Sequence, residues 1–274
     1  MLCASYSISP KDLWNAIATP CAPQIVDVRR QDAFAQSAQL LPGAIWRDAG
    51  KTQAWAAELA RARPIVVACE AGHEMSQTAV AQLRADGFDA RVLEGGYQAW
   101  AAAALPMIAK AELDRFVRTP PSLWVTRRRP KVDRIACPWL IRRFLDPQGR
   151  ILFVDPNQVL NVARESGGVP FDIKDVELSH EGERCSFDTM LKLFGLESEL
   201  SLARLALIVR GADTARPDLA AEAAGLHAIS LGLSALAGDD DHGLLERGCM
   251  VYDALFAWLR FAAEKRHNWP AKAA

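Results

Sequence analysis

Through the first hundred residues, short β-branched runs alternate with amphipathic stretches. Gln24-Ile-Val-Asp-Val28 and Pro64-Ile-Val-Val-Ala68 are continuous apolar runs, the pattern of strands buried on both faces of a parallel sheet. Pro10 to Ala18 carries Leu13, Trp14 and Ile17 at helical spacing, and Gln53 to Ala62 does the same with Trp55 and Leu59. The second strand leads into Cys69-Glu-Ala-Gly-His-Glu-Met-Ser76. A helix is predicted after it, over Gln77 to Ala85, with Val80 and Leu83 inward and Gly87 as its stop. Ala90-Arg-Val-Leu93 predicts another strand, and Glu94-Gly95-Gly96 a turn into a helix that holds Trp100. Strand and helix in alternation predict an α/β fold, a parallel sheet flanked by helices.

The pattern changes after residue 106. Pro106, Pro120 and Pro121 frame a linker with a short helix from Lys110 to Val117. Trp124-Val-Thr126 and Ile151-Leu-Phe-Val154 predict strands, but helical periodicity dominates. Pro138 suits the first position of a helix to Leu145, with Leu140 and Phe144 on one face. Ser186 or Asp188 is placed to cap a helix that stops at Gly195. Ser201 to Val209 and Asp218 to Leu236 predict two more, and a long amphipathic helix follows Asp241 to about Glu264. The expected organisation is a first domain at 1–110, a linker at 111–123 and an α-rich α+β domain at 124–270.

Composition narrows the function classes. The 274 residues hold 32 Lys or Arg against 33 Asp or Glu, and half are hydrophobic, which excludes a disordered or fibrous chain. A neutral balance argues against nucleic acid as partner. The best apolar run, Met250 to Ala263, is broken by Asp253 and Arg260, so membrane insertion is not expected. Six scattered cysteines without a CxxC pair point to reduced thiols and a cytoplasmic setting. Neutrality conceals local structure. Residues 127–150 hold eight Lys or Arg against two Asp, whereas 172–188 hold six carboxylates.

Cys69 stands where a strand ends and a helix begins, the edge of a parallel sheet at which ligands bind. Loop N–H groups and a helix N-terminus there favour negative charge on sulfur. Asp27-Val28-Arg29, Leu41-Pro42-Gly43-Ala44-Ile45, the strand–Cys69–loop–helix unit and Leu93-Glu94-Gly95-Gly96-Tyr97-Gln98-Ala99-Trp100 resemble a rhodanese domain in order and spacing. The resemblance implies a sulfurtransferase. Cys69 is then the persulfide-forming nucleophile, served by Gly72, His73 and Ser76, with a small sulfur donor and a thiol acceptor as partners. The loop departs from the family pattern: it is one residue longer and carries Glu74 and Met75 where a cation is expected. Related phosphatases need Arg six places after Cys, where Met75 stands, so phosphatase chemistry is not expected. Glu70 and Glu74 oppose anionic substrates. Weak thiosulfate activity, a different sulfur donor or a binding role is expected.

The second half resembles the C-terminal domain of the chromate-resistance B proteins. The runs that carry this are Pro130-Lys-Val-Asp-Arg-Ile-Ala-Cys-Pro-Trp-Leu-Ile-Arg-Arg-Phe144, Pro170-Phe-Asp-Ile173, Glu177-Leu-Ser-His180, Cys185-Ser-Phe-Asp188, Ile208-Val-Arg-Gly-Ala-Asp213 and Asp240-Asp-His242. The resemblance implies a role in chromate resistance. Two site chemistries stay open on the residues. His180, Cys185, His242 and Glu246, with Asp213 as a further candidate, are types that hold a divalent metal, and His242, Glu246, Cys249 and Asp253 share one helical stripe. Lys131, Arg134, Arg142 and Arg143 are instead suited to clamp chromate or another oxyanion. The function expected is a cytoplasmic sulfurtransferase of chromate resistance. The alternative is a non-catalytic chromate or metal sensor that uses the rhodanese fold for binding or redox sensing.

Overall fold

The computed structural model describes residues 5–19, 22–117 and 120–264. Cys3, Cys21, residues 118–119 of the expected linker and the stretch from 265 onward lie outside the described residues.

The first half runs β1 (Ser7–Ile8), α1 (Pro10–Ala16), β2 (Gln24–Asp27), α2 (Gln31–Gln36), β3 (Gln39–Leu40), β4 (Ala44–Trp46), α3 (Thr52–Ala56), β5 (Ile65–Ala68), α4 (Glu74–Ala85), β6 (Ala90–Leu93), α5 (Gly96–Ala102) and β7 (Ile108–Ala109). Five strands form one parallel sheet in the order β1-β6-β5-β2-β4, the predicted architecture, and β3 pairs with β7 beside it. Side-chain alternation divides the sheet into two faces. Val26, Val67, Cys69 and Val92 pack against Trp55 of α3 and Val80 and Leu83 of α4. Ile25, Val66, Ala68 and Leu93 join Leu13 and Trp14 of α1 and Trp100 of α5.

The second half continues with α6 (Lys110–Phe116), β8 (Leu123–Arg127), α7 (Asp133–Leu140), β9 (Arg150–Val154), α8 (Val159–Ser166), β10 (Val169–Pro170), α9 (Ser186–Leu193), α10 (Leu200–Asp213), α11 (Ala223–Ala237) and α12 (Asp241–Phe261). Three parallel strands, β10-β8-β9, form a small sheet, and the rest is helical. The start of α7 corrects the sequence expectation. It begins at Asp133, and Pro138 lies inside it. Tertiary bonds set this start: the Val132 N–H donates to Ser230 Oγ at 2.9 Å, and its carbonyl accepts the Tyr252 hydroxyl at 2.7 Å. Pro138 has no N–H for the carbonyl four residues back, and the helix relaxes into a π turn at Ile141–Leu145.

The two halves share a core. One apolar cluster runs from Leu13 to Leu259, and Trp14 lies 6.1 Å from Phe144 and 6.5 Å from Phe256, centroid to centroid. Arg260, at the end of α12, donates to the Trp14 carbonyl at 2.9 Å and to Asn15 Oδ1 at 3.0 Å. The Gly43 N–H donates to the Phe144 carbonyl at 2.6 Å. Among the described residues, no helix is long and apolar enough to cross a membrane.

Candidate functional site

Cys69 follows β5 directly and is 5% exposed, with its side chain on the sheet face that packs against α4. Its Sγ lies 3.1 Å from Ser76 Oγ and 3.9 Å from the His73 carbonyl. The loop is held by the turn into α5: the Tyr97 N–H donates to the Cys69 carbonyl at 2.9 Å, and the Gln98 N–H to the Glu70 carbonyl at 3.0 Å. Contact this close requires glycine at 96. That residue has φ +58, and an added Cβ would sit 2.2 Å from the Cys69 carbonyl oxygen. Gly72 has φ +73 and is pressed against the Leu93 carbonyl in the same way. Arg29 braces the arrangement from below: buried, forked onto Asp27, with its guanidinium 3.9 Å from the Tyr97 ring centroid.

No backbone N–H from Glu70 to His73 donates to an acceptor within the described residues. Those of Glu74 to Ser76 open the first turn of α4, where the helix itself provides no acceptor. The helix starts three residues before the predicted Gln77. Glu74 therefore occupies its first turn, where the dipole favours a carboxylate, and Met75 packs against the core below. His73 and Glu74 are both exposed. The result is a buried thiol beside a loop of unbonded N–H groups, with no basic side chain of the described residues bonded to the sulfur.

The second half assembles a different constellation. Asp133 is the first residue of α7, Asp172 lies just after β10, His180 is in the loop before α9, and Asp213 ends α10. His180 Nε2 is 3.2 Å from Asp133 Oδ2, 3.3 Å from Asp213 Oδ2 and 3.6 Å from Asp172 Oδ1. Asp133, His180 and Asp213 each offer one ligand atom, all within 4.8 Å of one another. Asp172 is also bonded by Arg127 at 2.7 Å, Arg134 at 3.2 Å and the Ser186 hydroxyl at 2.8 Å. Burial, and the charges of Asp172 and Asp213, push the Asp133 carboxyl up to about 7 against the pull of His180. Burial likewise raises Asp213, while the hydrogen bond to Asp133 raises His180.

The four residues expected as metal ligands are not brought together. His180 enters the cluster. Cys185 is fully buried and its thiol donates to Asp188 at 3.3 Å, with burial holding it well above the usual thiol range. His242 lies exposed with its ring against Phe153, and Glu246 accepts Arg142 at 2.6 Å. Helical spacing put His242 and Glu246 on one stripe, but that stripe faces the arginines of the α7 segment. The expected oxyanion clamp is likewise dispersed. Arg134 holds Asp172, Arg142 holds Glu246 and Arg143 holds Asp253, while Lys131 borders a cavity of about 360 Å³ with Arg129. Asp133 and Asp172 were missed as candidates. Asp133, Asp172, His180 and Asp213 each fall in a different one of the runs that carried the second resemblance. An acid embedded in each apolar run was the available signal.

Comparisons with known proteins match the two halves separately. A sheet of this topology with a thiol at the end of β5 defines the first class: the family model described as rhodanese-like domain matches residues 9–103. The model described as ChrB, C-terminal domain, matches residues 124–259. The chain joins a rhodanese-like domain to a ChrB C-terminal domain. It is 36% identical over 133 residues to Protein ChrB of Cupriavidus metallidurans, which covers 48% of this chain and 39% of that protein's length. Among solved structures, it is similar to a rhodanese-related protein from Thermoplasma volcanium (24% identity, 38% of this chain and 99% of that one, TM-score 0.34). A rhodanese-like domain protein from Staphylococcus aureus (28%, 35% and 91%, 0.32) and a thiosulfate sulfurtransferase from Pseudomonas aeruginosa (27%, 37% and 19%, 0.33) are similar over the same share.

Proposed function

We propose that this chain transfers sulfane sulfur through a persulfide on Cys69, as part of a chromate-resistance response. The Cys69 thiolate attacks the outer sulfur of a donor; a new S–S bond forms, and the donor's S–S bond breaks to release its remaining group as an anion. An acceptor thiolate then attacks the outer sulfur and Cys69 leaves as thiolate, so no external oxidant or reductant is consumed.

The observation that carries this reading is the cradle: unbonded N–H groups from Glu70 to His73 and the Ser76 hydroxyl 3.1 Å from the sulfur. Because no basic side chain of the described residues reinforces it, a doubly charged donor such as thiosulfate is a poorer substrate than a thiol-borne persulfide. Free thiols of this kind persist in the reducing cytoplasm, the setting we assign.

Single-turnover loading tests it. Wild type is expected to carry one cyanolysable sulfur per chain and Cys69→Ser none. Equal sulfur on both, or none with thiosulfate and glutathione persulfide alike, overturns it. The altered loop, one residue longer and lacking the expected basic residue, favours a second reading, a redox or chromate sensor built on the same fold. That reading requires heat on titration with chromate and is dismissed if there is none.

A further inference from the structure

We infer that Asp133, His180 and Asp213 hold a single divalent first-row metal ion, at a centre separate from the Cys69 thiol. The first argument is spacing. Ligand bonds of roughly 2.0–2.2 Å put adjacent ligand atoms about 3–3.5 Å apart. His180 Nε2 stands 3.2 and 3.3 Å from the two carboxylate oxygens.

The second argument is charge. Asp172 is matched by two arginines and a hydroxyl. Asp133 and Asp213 have no lysine or arginine within ion-pair distance among the described residues, and His180 is the group that bridges them. Asp133 is 2% exposed, so water does little for it. Asp213 is the last residue of α10, where the negative end of the helix dipole repels a carboxylate. The fold thus places two acids without a lysine or arginine partner against one imidazole, with the Asp133 side chain and backbone hydrogen-bonded to Asp213, and a cation at their common centre takes over these contacts.

The third argument is access and donor type. The His180 side chain is 42% exposed, so the centre opens to solvent on that side, leaving room for water or an oxygen-donor ligand. One nitrogen and two oxygens suit Mn²⁺, Fe²⁺ or Zn²⁺ better than soft ions. The thiols of Cys137 and Cys185 are fully buried, and that of Cys185 is engaged with Asp188, so neither joins the half-exposed His180. Asp172 lies 3.6 Å from His180 Nε2, and its charge is already matched by Arg127 and Arg134, so it borders the centre without adding a third unmatched acid.

The test uses the full chain, stripped with chelator and titrated with Mn²⁺ under electron paramagnetic resonance, with Zn²⁺ followed in parallel by calorimetry. One tightly bound ion per chain is expected for at least one metal. Asp213→Asn and His180→Ala should each weaken it by more than about 100-fold, beyond the loss of an outer partner, while His242→Ala leaves it unchanged. If the cluster variants fail to fold, nitrogen hyperfine coupling from one imidazole on Mn²⁺-loaded wild type stands in their place. No stoichiometric binding of either ion, unchanged binding in the folded variants, or absence of that coupling overturns the inference.

Discussion

The thiol loop and the carboxylate cluster handle charge by opposite means. Around Cys69, the groups available to an anion are backbone N–H donors, left unbonded from Glu70 to His73 and in the first turn of α4. Around His180, the groups are side chains from four separate segments, with Asp133 and Asp172 buried beneath a half-exposed imidazole. A backbone cradle depends on φ and ψ, so glycine at 72 and 96 decides whether it exists. A side-chain cluster depends on tertiary packing, so the placement of α7 and α10 decides it. Local sequence controls the first and long-range folding the second.

Substitutions that act on one kind of site and spare the other break this comparison cleanly. The largest effect is expected from Gly96→Ala. Its methyl meets the Cys69 carbonyl, and strained backbone combined with overpacking costs about 3 kcal/mol. Chemical denaturation should show that loss, and persulfide loading should fall at least tenfold; normal loading at unchanged stability refutes the backbone account. Asp172→Asn is next. It leaves Arg127 and Arg134 unpaired beside the cluster, where their positive charge repels a cation, so Mn²⁺ affinity should drop about tenfold while sulfur loading holds. Equal losses at both sites would mean that the two are not separate. Smallest is Glu246→Gln, which breaks an exposed pair with Arg142 and should change stability by less than about 1 kcal/mol and metal affinity not at all. A marked loss of metal there restores the α12 stripe as a ligand set.

The same contrast explains what the sequence disclosed. The β-branched runs at Gln24 and Pro64, and the Gly95-Gly96 turn, carry their structure within ten residues, and the parallel sheet and the Cys69 loop followed from them. Helix α8 went unread because Val159–Ser166 is short and no side chain caps its start, although the left-handed Gly167 closes its end. The start of α7 was misplaced because Val132 is held by Ser230 and Tyr252, about a hundred residues away. For the cluster, His180 and Asp213 were visible as residue types, but their partner Asp133 looked like one acid in a basic stretch. Spacing along α12 suggested His242 with Glu246. Spacing reports which residues share a helix face, and here that face met Arg142 and Arg143. The basic 127–150 and acidic 172–188 stretches do meet, through Arg127 and Arg134 on Asp172, as structural pairs around the cluster.

Trp14 belongs to the rhodanese-like half, yet it packs against Phe144 and Phe256, and Arg260 clasps its carbonyl. This indole makes the boundary between the halves a line in the sequence without a matching plane of weakness in three dimensions. Heat or denaturant should therefore melt the chain in one cooperative step. Either half expressed alone would present a large aromatic surface to water and aggregate. A sulfur carrier and a carboxylate centre fused this way share one folding fate: the cell either keeps both or loses both.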